Sequence, residues 1–344
     1  MDPNVNHPEP PARPPLLPTP LAVAEARQQH PGRSTGQELM VFLLLLLVAA
    51  VLEFLFTVLA AIPLVLPDPA FQTAVENGGW TNELLDQLFA NLAANPLYSL
   101  LLLLATSTLI ITVIFYSHFI GKRTLPTLGF RRPRAIREYL FGLLAGAALL
   151  SGALGICLLT GTITLESQAA TIPWGFLALF LLGYAIQGMS EELLCRGYLL
   201  VALARRQSVA RALLISSAVF AALHGLNPSA SPLAIVNLFL FGVLAAVYFL
   251  KRGNIWGVAA MHAAWNFAQG NLLGIAVSGT TSPTTLWQFS PTVAGSWVNG
   301  GSFGLEGGLA VTFMLVLGIC ILLLSNSRQS AETIAPADLP LPES

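Results

Sequence analysis

Residues 39–66 read LMVFLLLLLVAAVLEFLFTVLAAIPLVL, an apolar run broken by one ionisable side chain, Glu53. A helix needs ~20 mostly apolar residues to cross ~30 Å of hydrocarbon, so this stretch alone can span a bilayer. Lipid offers no partners to exposed peptide groups, which makes a helix the conformation the run must take. The pattern then recurs along the chain. Further candidate spans are Leu97–Ile120, Tyr139–Leu159, Trp174–Ala204, Ala210–Leu226, Leu233–Leu250, Ile255–Leu273 and Leu309–Leu324. Of the 344 residues, 55% are hydrophobic and 10% charged, with a mean hydropathy of +0.71. A soluble domain carries about 25% charged residues. The predicted fold is therefore all-α, a polytopic transmembrane helical bundle of about eight spans.

The net charge of −1 conceals a sharp segregation of the 16 basic residues. Arg13, Arg27 and Arg33 precede the first span. Lys122, Arg123, Arg131, Arg132, Arg134 and Arg137 lie between the second and third. Arg196, Arg205, Arg206 and Arg211 lie at or around the turn between the fourth and fifth. Lys251 and Arg252 separate the sixth and seventh, and Arg328 follows the eighth. The connections near residues 67–96, 160–173, 227–232 and 274–308 have none. Cytoplasmic loops collect Lys and Arg, so eight spans with both termini inside satisfy the rule at every connection. A bacterial inner membrane is the expected location, with the lipid bilayer as solvent and no nucleic-acid partner.

The ends read differently. Residues 1–36 are proline-rich and polar and lack the apolar core of a signal peptide. They are expected to be disordered, as is the tail 326–344. Between them, 37–126 would hold two N-terminal spans, 127–273 a transmembrane core, and 274–325 an external Gly/Ser/Thr-rich loop with the last span. Cys157, Cys195 and Cys320 fall in or near apolar runs and read as small apolar fillers.

Ionisable residues inside spans are costly and usually functional. Glu53 and His118 lie in the first two spans and read as structural or interfacial groups. The rest gather in the second half: Glu191, Glu192 and Arg196 in the fourth span, His224 in the fifth, His262 in the seventh. Glu192 and Arg196 are spaced i, i+4 and can pair on one stripe. Glu191 is turned by about 100° and points elsewhere. His262 and Asn266 share a face, as do Phe220 and His224. Glu191 precedes Gln207, at the turn, by 16 residues, and His224 follows it by 17. In an antiparallel pair both sit about 24 Å from that turn. One buried cluster of Glu191, Glu192, His224, His262 and Asn266 is the expectation.

Such a set suits hydrolysis: a carboxylate takes a proton from water, and histidine and amide N–H groups hold a developing oxyanion. Alternatively Glu191, His224 and His262 form a two-histidine, one-carboxylate zinc set. HExxH, GxGD and GxSG motifs are all absent.

The ordered motifs EExxxR (Glu191, Glu192, Arg196), FxxxH (Phe220, His224) and HxxxN (His262, Asn266) resemble the CAAX protease and bacteriocin-processing family (CPBP, or Abi). That family includes the type II CAAX prenyl endopeptidases. TLGFRRP (127–133) also resembles a feature of bacterial members, and the likeness covers about residues 127–270. The resemblance implies an intramembrane endopeptidase, of glutamate or metallo type, acting on a membrane protein or peptide, lipidated or not. It implies Glu191 as the base that activates water, His224 as its assistant, and His262 with Asn266 as oxyanion donors. Glu192, Arg196 and Phe220 would support them. No cofactor is required by this reading; zinc is the one alternative.

The competing readings are structural and functional. Glu192 with Arg196 can be a structural ion pair, the histidines core groups, Asn266 an interhelical tie, and Phe220 packing. Buried Glu and His also suit a proton-coupled transporter, although the first half shows no second copy of the charged pattern, as an internal repeat would. A non-catalytic peptide-binding protein of the bacteriocin-immunity type is a third reading.

Overall fold

The computed structural model describes residues 17–30 and 32–325. The predicted tails at 1–16 and 326–344 lie outside the described residues. The helices are α1 (Leu21–Gln29), α2 (Thr35–Val65), α3 (Pro69–Glu76), α4 (Asn82–Ala94), α5 (Pro96–Ile120) and α6 (Ala135–Leu159). Strand β1 (Ile163–Gln168) follows, then α7 (Trp174–Ala204), α8 (Val209–Leu226), α9 (Pro232–Arg252) and α10 (Ile255–Phe267). Strand β2 (Trp287–Pro291) and α11 (Leu309–Leu324) complete the described chain. It is an all-α polytopic bundle.

Six of these helices, α2 and α5–α9, are both long and apolar enough to cross a membrane. The shorter α11 is apolar throughout. α10 coincides with the remaining predicted span; His262, Asn266, Gln269 and Asn271 dilute its hydropathy. The bundle is apolar outside as well as inside. Phe54 is 67% exposed and Leu59 66% exposed on α2, as expected of helices solvated by lipid tails.

α10 is the centre of the bundle. Every residue from Val258 to Asn266 is buried. It is clamped between α6 and α7 by glycines on both. A Cβ on Gly142 would lie 2.0 Å from the Gly257 carbonyl oxygen, and one on Gly146 would lie 2.2 Å from that of Met261. This is a GxxxG face, which lets helix backbones approach where lipid gives no hydrophobic drive. From the other side, a Cβ on Gly188 of α7 would meet the Ala259 carbonyl oxygen at 2.9 Å.

The basic connections meet at one end of the bundle. Arg252 at the end of α9 grips Glu138 at the start of α6 through two hydrogen bonds of 2.7 Å. Arg205, just past α7, pairs with Glu38 of α2 at 2.7 Å. At the opposite end β1 and β2 form an antiparallel pair that joins the 160–173 and 274–308 connections.

One sequence expectation needs correction, and two connections carry structure of their own. The sequence predicts disorder over 1–36, but α1 folds within it. Ala22, Val23 and Ala26 are buried, Arg27 donates to the Ala204 carbonyl at 2.8 Å, and Glu25 pairs with Arg131 at 2.8 Å. A short helix that docks on its neighbours does not need to bury enough surface to fold alone. The connection 67–96 contains α3 and α4, whose first turns are capped by Asp68 and Thr81. The 274–308 connection is a packed element, with Phe303–Gly308 buried throughout.

The TLGF segment is a plug against α7. Gly129 has φ +88°, and a Cβ there would lie 2.5 Å from the Phe249 ring. Its carbonyl accepts from the Ile255 N–H at 2.9 Å and so fixes the start of α10.

Candidate active site

α7 changes pitch where its charges begin. It is α-helical to Glu192 and a π-helix from Leu193 to Leu200, a geometry that often marks functional sites. Sequence periodicity assumed 3.6 residues per turn here and could not foresee the widening. The i, i+4 pairing nonetheless holds: Arg196 Nη1 donates to Glu192 Oε1 at 3.0 Å, with both side chains fully buried. Arg196 Nη2 donates to the Gly242 carbonyl at 3.2 Å, and its guanidinium lies 4.6 Å from the centre of the Phe220 ring. Phe220 is therefore more than filler. It carries the face of a buried cation and its ring lies 4.5 Å from that of His224.

The expected cluster assembles around one oxygen. His224 Nε2 lies 3.5 Å from Glu191 Oε2, and His262 Nε2 lies 3.9 Å from the same atom. Glu191 Oε2 has no hydrogen-bond partner among the described residues. Both imidazoles are committed at their other nitrogen. His224 Nδ1 lies 2.9 Å from the Phe220 carbonyl oxygen, and His262 Nδ1 lies 2.9 Å from Glu192 Oε1. Each of those oxygens can only accept, so each Nδ1 carries a proton. In the neutral ring, Nε2 then turns a lone pair towards Glu191. Two lone pairs facing an ionised oxygen do not bond to it directly; a donor between them is the favourable occupant.

Glu192 has a different task from its neighbour. Its Oε1 accepts from both His262 Nδ1–H and the Arg196 guanidinium, and it does not line the cavity. Depth reasoning from the α7–α8 turn thus matched Glu191 with His224, and the observed contact agrees.

Asn266 is in the cluster but not free. Its Nδ2 donates to Gln187 Oε1 at 3.0 Å, and Gln187 Nε2 donates to Glu191 Oε1. One of the two Asn266 N–H bonds therefore remains available. Gln187 escaped the sequence reading because it is uncharged, although it lies one turn before Glu191 on the same face.

These groups line a cavity of about 230 Å³. Its apolar wall includes Leu103, Leu238 and Leu315, and its far side comes from the 274–308 connection through Ser278, Thr280 and Glu306. Glu306 is the other residue missed, although it is the only acidic side chain in that connection. Gln269 donates to its carboxylate, and its backbone carbonyl accepts from Asn237 at 2.7 Å. Burial pushes the Glu306 carboxyl up to about 7, against the pull of the Gln269 hydrogen bond. Glu53 and His118 line no part of the cavity.

Zinc fits this arrangement poorly. Zinc bonds of ~2.0–2.2 Å in a tetrahedron set donor–donor edges of about 3.4 Å. The 3.5 Å edge is suitable, but the 3.9 Å edge opens the angle at the ion to about 140° for bonds of that length. Among the described residues no group of three or more His, Cys, Asp and Glu side chains is spaced to hold a metal ion.

Residues 173–268 match a family model described as Type II CAAX prenyl endopeptidase Rce1-like. The match runs from the start of α7 into the turn after α10 and takes in Glu191, Glu192, Arg196, Phe220, His224, His262 and Asn266. It agrees with the family read from the three motifs. A membrane protease of the CAAX type is the activity this family supports. No curated protein and no solved structure matches the chain.

Proposed function

We propose that this integral membrane protein, Rce1-like over residues 173–268, is an endopeptidase that hydrolyses a peptide bond with a water molecule activated by Glu191. The observation that carries the reading is the unpartnered Glu191 Oε2 facing the Nε2 atoms of His224 and His262 at 3.5 and 3.9 Å. A water at that point donates one hydrogen to Glu191 Oε2 and the other to His224 Nε2. Its oxygen lone pair is then directed into the cavity.

As the water oxygen bonds to the scissile carbonyl carbon, its proton passes to Glu191. The C=O electron pair moves to the carbonyl oxygen. The free N–H of Asn266 can donate to that oxygen, as can Nε2–H of His262 when the ring is charged. Glu192 on His262 Nδ1 fixes the tautomer and orientation of that ring. Arg196 in turn holds Glu192 in place through their 3.0 Å contact. The proton held by Glu191 then moves to the leaving nitrogen, the C–N bond breaks, and the new carboxyl group is released.

Access favours the end of the bundle opposite to the basic residues. On α7 every residue from Glu192 to Ala204 is buried, which closes the way to the basic end. Thr280 is exposed and Asn227 and Ser278 are half-buried at the other. With both termini inside, a substrate segment enters from the external half of the membrane. A membrane-bound or secreted peptide meets that requirement without a prenyl group.

Glu191→Gln keeps the size of the side chain and removes the base. Peptide release by the purified, reconstituted variant is expected to fall by ~10²–10⁴-fold, the usual contribution of a general base, with the melting temperature unchanged. A well-folded variant that releases peptides at the wild-type rate would move the base elsewhere.

A further inference from the structure

A second cavity, of about 150 Å³, lies at the basic end of the bundle. Arg33, Lys122, Arg123, Arg205, Tyr116 and Tyr198 line it, with His30 at its edge. Among the described residues no carboxylate lines it. The nearest described one is Glu38, which is spent on Arg205 at 2.7 Å and on the Tyr198 hydroxyl at 3.2 Å. Four full positive charges therefore share one counter-charge among the described residues.

Their hydrogen bonds leave this imbalance in place. Arg123 is 3% exposed and donates only to neutral oxygens: Thr127 Oγ1, the Thr127 carbonyl at 2.8 Å, the Gly197 carbonyl at 3.2 Å and the Tyr198 carbonyl at 3.5 Å. Arg33 donates to the Tyr116 hydroxyl. Lys122 has a left-handed backbone, φ 51°, and makes no side-chain hydrogen bond among the described residues. The Arg205 side chain is 7% exposed, yet its Nε has no partner among the described residues. A buried guanidinium N–H without an acceptor is unfavourable. Burial and the neighbouring Arg205 together lower Arg123 to about 10, as expected where cations are crowded without an anion.

We infer that this cavity binds a phosphate group, carried by an anionic lipid headgroup or free in solution. Phosphate is multivalent, accepts several hydrogen bonds at once, and is matched in two-point fashion by arginine. The cavity also sits where such a group is found. Phe119 and Ile120, 57% and 60% exposed, end the lipid-facing surface of α5, and Lys122 follows at once. Basic pockets between spans on the cytoplasmic side are suited to phospholipid headgroups. A bound phosphate here ties together three separate segments: the link between α1 and α2, the turn after α5, and the end of α7. Its effect is therefore to fasten the basic end of the helix that begins the catalytic cluster.

The test uses the full chain, purified in an uncharged detergent. Melting temperature is measured with added phosphatidylglycerol, phosphatidylcholine or inorganic phosphate at constant ionic strength. Phosphatidylglycerol is expected to raise it by about 5 °C at ~100 times the dissociation constant, and phosphatidylcholine to leave it unchanged. Lys122→Gln and Arg33→Gln change exposed side chains and should fold. Each is expected to lose at least half of the shift, measured from its own lipid-free value. An equal shift with inorganic phosphate alone identifies free phosphate as the ligand. No shift with either phosphate source, or full shifts in both variants, overturns the inference.

Discussion

At the scale of single residues, the site divides its polar groups between chemistry and support, and the two kinds can be told apart. Asn266 is the sharpest case, because it is bonded to Gln187 at 3.0 Å and still has a free N–H. If that N–H meets the oxyanion, Asn266→Ala lowers kcat by about 10²–10³, the usual effect of removing one such donor, with KM little changed. A lower melting temperature with normal kcat would return Asn266 to a tie between α10 and α7. Glu306 gives a pH signature instead. Its carboxyl is raised to about 7 from an ordinary value of 4.5, so the folded protein holds a proton there that the unfolded chain has released. Stability should therefore be complete below about pH 4.5, fall as pH rises towards about 7, and level off above. Glu306→Gln should flatten the melting temperature across that window; an unchanged slope would assign the pH dependence to another group. The charged members of the cluster were legible in the sequence because an ionisable residue in a span stands out against its apolar neighbours. Gln187 and Glu306 were not, the first because an uncharged amide passes for helix polarity, the second because it lies in a glycine-rich connection with no helical period to place it.

At the scale of elements, hydropathy made the spans plain, since each must be a long apolar run. What it did not make plain were the pieces held by local contacts: docked α1, capped α3 and α4, the β1–β2 pair and the π-helical stretch of α7. None of these leaves a run or a period long enough to read. The close packing of α10 is likewise invisible until its neighbours are known, although GxxxG at Gly142 and Gly146 is its visible half. Gly146→Leu places side-chain atoms where a Cβ already falls 2.2 Å from the Met261 carbonyl oxygen. That must push α10 away from α6, and with it His262 from its place beside Glu192. Overpacking of this kind typically costs 1–3 kcal/mol, so a melting temperature lower by several degrees is expected. Gly155→Leu on the same helix is the control, since nothing lies within 4 Å of a Cβ there. Equal melting temperatures for the two variants would contradict the clamp.

At the scale of the whole molecule, charge segregation and site depth make one picture. The basic connections gather at one end, and the cavity with Glu191 at its wall opens towards the other. The proposed orientation has both termini in the cytoplasm, so a reporter active only in the cytoplasm should work when fused after Ser344. Activity there from a periplasm-only reporter instead would sink the eight-span arrangement and reverse the side from which substrate enters. The central claim, however, is chemical: water, held by Glu191 between two histidines, becomes part of the product. It is tested most directly by incubating membranes containing wild type or Glu191→Gln in water enriched in oxygen-18 and identifying the released peptides by mass spectrometry. The account predicts peptides that appear only with the wild type and carry heavy oxygen in the carboxyl group formed at the cut. The same labelled peptides at equal yield from Glu191→Gln membranes would contradict it.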